Sequence, residues 1–161
     1  MKSLLQAPNN HISTYVGKCI MTHGNNEDWF ESWGKIIYDP RRPGLKKKKD
    51  WWTIVTVDRE ITRYFRWQVL WNWGIKLNQP SWDAHISIIR GERPRSREKM
   101  KLWKKYHGQK VKFRYSNRVI NAPEKPQFWY VEVDCPMLRQ IRDEFEIPSN
   151  WRSHLTIGRT W

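Results

Sequence analysis

Residues 51–58 read Trp51-Trp52-Thr53-Ile54-Val55-Thr56-Val57-Asp58, and their reading decides the fold. Aromatic and β-branched residues dominate, which predicts a strand over 51–57. Asp58 then stands where a helix N-cap belongs. Ile61, Tyr64, Phe65, Val69 and Leu70 follow at helical spacing, so a helix is predicted over 59–74, closing at Gly74. Asn78-Gln79-Pro80-Ser81 reads as a turn, and Ala84 to Arg90 as a second strand. Strand, helix and strand form one unit.

Toward the C-terminus the same order returns. Phe128 to Val133 predicts a strand. Pro136 opens a helix through Glu146, with Met137, Leu138, Ile141 and Phe145 on its apolar face. Arg152 to Arg159 is the last strand. Between the units, Glu92-Arg93-Pro94 introduces a basic helix over 95–106, closed by Gly108. Val111 to Tyr115 follows as a strand, and 117–127 as a loop with Pro123 and Pro126. Toward the N-terminus, Thr14 to Met21 and Trp33 to Tyr38 predict short strands, and the run from Arg41 to Asp50 is a loop of like charge. The expected fold is α+β: two pseudo-symmetric lobes of antiparallel sheet, with packed helices, around a central cleft. Residues 1–161 form one domain, with 1–50 an N-terminal extension and 51–161 the core.

The chain has 161 residues and a formal charge of +14, from 30 Lys and Arg against 16 Asp and Glu. Such a charge repels itself and points to a polyanionic partner, a nucleic acid, a nucleotide or an anionic membrane surface. Twelve tryptophans suit base stacking, and equally an aromatic core beside a basic face. Apolar runs fall short of a membrane span, and Met1 to Gln6 lacks the apolar stretch of a signal peptide. Cys19 and Cys135 make neither a disulfide framework nor a four-ligand zinc site, and fit a reducing cytoplasm.

The final strands of the two units share a pattern. One carries His85-Ile86-Ser87-Ile88 and the other His154-Leu155-Thr156-Ile157. Strand side chains alternate, so each buries two aliphatics and offers an imidazole and a hydroxyl on the opposite face. Two histidines can act as general base and general acid at a phosphodiester. The hydroxyls of Ser87 and Thr156 can donate to phosphate oxygens. No cofactor or metal is expected, because neither His-Glu-x-x-His nor clustered carboxylates occur. His11-Ile12-Ser13 is a decoy, since Thr14 follows where an apolar residue is needed.

Two His-apolar-Ser/Thr-apolar motifs resemble the signature of the 2H phosphoesterase superfamily, over 51–161. The flanks Trp82-Asp83-Ala84-His85 and Ser153-His154-Leu155-Thr156-Ile157-Gly158, with the aromatic strand at 128–133, look most like small phage enzymes that destroy cyclic-oligonucleotide alarm signals (anti-CBASS nucleases). The resemblance implies the two-lobed fold and a catalytic set of His85, Ser87, His154 and Thr156. It also implies cleavage of 3′–5′ bonds in cyclic di- or trinucleotides through 2′-hydroxyl attack, in a host bacterial cytoplasm. The alternatives are a 2′,3′-cyclic phosphodiesterase or RNA-end processor, which the large charge favours, and a non-catalytic RNA- or nucleotide-binding module.

Stacking candidates are Tyr115, Trp51, Trp52, Trp129 and Tyr130. Neighbours in a strand face opposite ways, so one of each adjacent pair is expected in the core. Arg152 lies two residues before His154 and shares its face, which makes it the leading phosphate-binding cation. Arg114, beside Tyr115, is another, on one face with Lys112. Arg90 is an odd number of positions from His85 and should face away unless the strand bulges. Glu132 and Asp134 read as surface charge, with imidazole tuning as the alternative.

Overall fold

Strands dominate the molecule, and they close on themselves. The computed structural model describes residues 12–15, 18–21, 28–44, 49–124, 126–149 and 152–161. His11 of the decoy motif and residues 45–48 of the expected loop lie outside them. The strands are β1 (Ile12–Tyr15), β2 (Lys18–Met21), β3 (Trp29–Tyr38), β4 (Trp52–Thr56), β5 (His85–Arg90), β6 (Lys110–Asn121), β7 (Gln127–Asp134) and β8 (His154–Thr160). Among the described residues three helices accompany them: α1 (Arg59–Trp73), α2 (Arg97–Lys101) and α3 (Pro136–Glu144).

All pairings are antiparallel. β6 pairs with β3 on one edge and β7 on the other, so β3-β4-β5-β8-β7-β6 forms a closed six-stranded barrel, with the β1–β2 hairpin added along β6. This corrects the expected α+β fold of two lobes with packed helices. Separate lobes need free sheet edges between the units. Here β5 pairs with β8, and two long strands supply the remaining staves. The expectation stopped those strands at 33–38 and 111–115. It missed that β3 begins at Trp29 and that β6 runs through to Asn121. The segment set aside as an N-terminal extension therefore provides a barrel strand.

The helix over 59–74 forms as Arg59–Trp73. The Asp58 carboxylate accepts the Glu60 N–H, and Gly74, at φ 68°, closes the last turn onto the Leu70 carbonyl. The basic helix is cut to Arg97–Lys101, with no buried residue. Cations crowd both sides of it, and turns replace the helix through Gly108. α3 buries Leu138 and Ile141, and these join Phe65 and Val69 of α1 in one core with Ile86 and Leu155. Fully burying each such aliphatic contributes about 1.5–3 kcal/mol. β5 and β8 are thereby held from behind.

Candidate active site

The two motif strands are hydrogen-bonded neighbours, with Ile86 opposite Leu155. Both residues are wholly buried. Alternation from this pair sets His85 against Thr156 and Ser87 against His154, on the opposite face. A pseudo-two-fold axis through Ile86 and Leu155 exchanges the motifs. All four polar side chains line one cavity of about 130 Å³.

Each imidazole is anchored from behind by the carbonyl two residues earlier. His85 Nδ1 is 2.7 Å from the Asp83 oxygen, and His154 Nδ1 is 3.2 Å from the Arg152 oxygen. A carbonyl only accepts, so Nδ1 carries the hydrogen in both rings and Nε2 is left to exchange a proton. His85 sits against Trp82 at 4.7 Å and Trp52 at 5.9 Å between ring centres. Burial lowers its pKa. The Asp83 carbonyl opposes this, while the charges of Arg90, Arg42 and His154 add to it. His154 packs on Tyr130 at 5.0 Å.

The strand bulge left open by the sequence is present, and it occurs twice. Opposite β4, the register steps from Ile89 to Ser87 and skips Ile88. Opposite β7, it steps from Gly158 to Thr156 and skips Ile157. Each bulge reverses the alternation beyond it. Arg90, expected to face away, therefore lines the cavity with Ser87, and Arg159 does the same from β8. The repeat is longer than four residues: an arginine stands five positions past each histidine. Extending the comparison of the two strands by two residues would have found Arg159. Arg42, Trp82 and Phe128 also line the cavity and were missed as site residues. Arg42 comes from the loop before β4 and lies over Trp52 at 5.3 Å and Trp82 at 5.5 Å, a contact without a local sequence signal.

The other candidates divide between the site and the rest of the fold. Trp52 is at the site. Tyr130 reaches it only through His154. Trp129 is buried in the core, its indole N–H on Thr160 Oγ1 at 3.4 Å. Trp51 packs edge-on to Trp103. Tyr115 lines a separate apolar cavity with Phe30, Tyr64 and Phe65. Arg114 pairs with Asp134, and Lys112 with Glu31. Arg152 points to Glu132 at 3.1 Å with its side chain 85% exposed, so it serves the site through its carbonyl rather than its guanidinium.

Among the described residues, the cavity lining holds three arginines, two histidines and two indoles, and no carboxylate. Such a lining suits an anion carrying an aromatic group. Among the described residues no three His, Cys, Asp or Glu side chains are grouped as metal ligands are, and no helix is long and apolar enough to cross a membrane. No family model, curated protein or solved structure matches the chain.

Proposed function

We propose that this protein is a ribonucleotide phosphodiesterase working by histidine acid–base chemistry of the 2H phosphoesterase kind, without a metal cofactor. One observation carries the reading. Two copies of a histidine, a hydroxyl and an arginine converge on one cavity, with both imidazoles held in the same tautomer. The expected two-lobed fold has no part in it.

His85 is the base, because its surroundings favour the neutral ring. Its Nε2 takes the proton of a ribose 2′-hydroxyl as that oxygen bonds to the adjacent phosphorus. The P–O5′ bond breaks, and His154 gives its proton to the leaving 5′-oxygen. The products are a 2′,3′-cyclic phosphate and a 5′-hydroxyl. Ser87 and Thr156 donate to the non-bridging oxygens, where charge builds, and Arg42, Arg90 and Arg159 hold the phosphate. Trp82, half-buried in the cavity lining, gives a nucleobase a face to stack on, worth about 1–3 kcal/mol, while Trp52 is buried and packs against it.

The sequence resemblance favours cyclic di- and trinucleotides as substrates, acting in a bacterial cytoplasm. A second reading, hydrolysis of 2′,3′-cyclic phosphates at RNA ends, is favoured by size. The cavity of about 130 Å³ is smaller than the roughly 300–1,000 Å³ of sites that enclose a whole ligand. Such a volume suits one phosphate and its sugar, with the base at the Trp82 side and the rest of the substrate outside.

The test is purified protein in EDTA, offered 3′,3′-cyclic di- and trinucleotides, 2′,5′-oligoadenylate, a 2′,3′-cyclic mononucleotide and single-stranded RNA, with products read by mass. Cleavage abolished in both His85→Ala and His154→Ala supports the enzyme. The substrate cleaved fastest chooses between the two readings. Tight binding with no turnover of any substrate leaves a binding module instead.

A further inference from the structure

The two bulges that turn Arg90 and Arg159 into the cavity create a structural problem. Ile88 and Ile157 have no register partner on β4 or β7, and both are wholly buried. A buried carbonyl outside the ladder needs another donor. In both strands that donor is an arginine from a helix, and the helices are exchanged. α1, which leads into β5, packs on β8, and α3, which leads into β8, packs on β5. Arg66 of α1 donates from Nη1 to the Ile157 oxygen at 3.0 Å. Arg142 of α3 donates from Nη1 to the Ile88 oxygen at 2.7 Å.

Arg142 does more. Its side chain is 3% exposed, and its fork grips the Glu92 carboxylate at 2.7 and 3.0 Å. Glu92 in turn accepts the backbone N–H of Arg90 at 3.2 Å. Arg142 also donates to the Pro148 carbonyl, on the approach to β8. On the other side, the backbone of Arg159 is fixed by a two-way hydrogen-bonded bridge to Asn78, at 2.9 and 3.0 Å.

We propose that Arg66 and Arg142 are positioning residues, crossed braces that lock the two bulges and so aim Arg159 and Arg90 at the substrate phosphate. The proposal rests on the reading of the cavity as a phosphate site. Neither brace lines that cavity. Their effect passes through the backbone of the opposite strand, and each unit's helix thereby sets the other unit's binding arginine.

Adenosine 3′-monophosphate is the binding probe, measured by calorimetry well below the melting temperature. Arg159→Met and Arg90→Met should each weaken binding about tenfold, near 1.4 kcal/mol. Arg66→Met should weaken it as Arg159→Met does, and Arg66→Lys, which keeps a donor, should recover most of the loss. A support of stability alone would lower the melting temperature and leave affinity unchanged. A ligand-free measurement stands beside it: NMR titration of His85, whose ring feels Arg90, Arg42 and His154. Its midpoint should rise in Arg142→Met as in Arg90→Met, and return toward wild type in Arg142→Lys. A folded Arg66→Met that binds like wild type, or a folded Arg142→Met with the wild-type midpoint, overturns the braces. If the wild-type protein does not bind the probe, the phosphate reading fails, and the His85 titration then decides the braces on its own.

Discussion

The β5 and β8 halves of the site share one frame and differ in their surroundings. Both carry histidine, hydroxyl, bulge and arginine in the same order. Both fix Nδ1 on a carbonyl two residues back, and both cap the bulge with an arginine from the opposite helix. His85, however, is boxed by two indoles, with Arg42 over both. His154 has the Tyr130 ring, and Glu132 faces it across the β7–β8 register. Geometry is duplicated while polarity is not. The burial around His85 disfavours its charged ring, which is the ground for giving it the base's role.

The largest predicted effect tests whether both halves are needed. His85→Ala and His154→Ala should each lower kcat by about 10²–10⁴-fold, with circular dichroism and melting close to wild type. A variant that keeps turnover within a few fold removes its half from the mechanism. The arginines sharpen the comparison at the next scale down. Arg90→Met and Arg159→Met should each raise KM about 10- to 100-fold, the worth of a charge-assisted hydrogen bond at roughly 1.5–3 kcal/mol. They should then part company in the pH profile. Arg90 is among the charges that lower the His85 pKa and Arg159 is not, so the acidic limb, which the base sets, should move up only in Arg90→Met. Equal movement in both would mean that the halves are electrostatically alike.

Local periodicity made the helix at α1, the strand–helix–strand units and the four motif side chains legible, because each depends on neighbours in sequence. Closure of the barrel was not legible. It depends on β3 and β6 pairing over seven register positions, between segments that each looked like a short strand beside a loop. The β5 bulge was invisible for a related reason: HISIIR has unbroken β-forming character, and only the partner strand shows that one residue is skipped, whereas Gly158 in HLTIGR is a local mark of the β8 bulge. Arg159 was nevertheless within reach, since it repeats the position of Arg90. Gly158, where the other strand has Ile89, marks a second asymmetry. A Cβ there would stand 2.8 Å from Leu77 Cβ, because the segment at 77–78 closes against β8.

A smaller effect belongs to stability. Folding holds the His85 pKa below its ordinary value of 6.5, so under mildly acidic conditions the unfolded chain binds more protons than the folded one. The stabilisation from keeping this ring neutral is complete above about pH 6.5 and is lost as pH falls below it. Urea melts between pH 7.5 and 5 should show a steeper loss for wild type than for His85→Gln. Equal slopes would show that the His85 environment does not disfavour the charged ring, and the assignment of base and acid would lose its support.

The smallest effect is predicted where the sequence placed its leading cation. Arg152 shares a strand face with His154, which by alternation alone makes it a phosphate ligand. Its guanidinium instead meets Glu132 in solvent, and such exposed pairs contribute about 0–1 kcal/mol. What the site uses is the Arg152 carbonyl, which every residue type supplies. Arg152→Ala should therefore leave kcat and KM within about twofold of wild type and stability within about 0.5 kcal/mol. Arg159→Met, in β8 beyond the bulge, should not be tolerated in this way. A KM that rises as much in Arg152→Ala as in Arg159→Met would mean that simple alternation, and not the bulge, decides which arginine meets the phosphate.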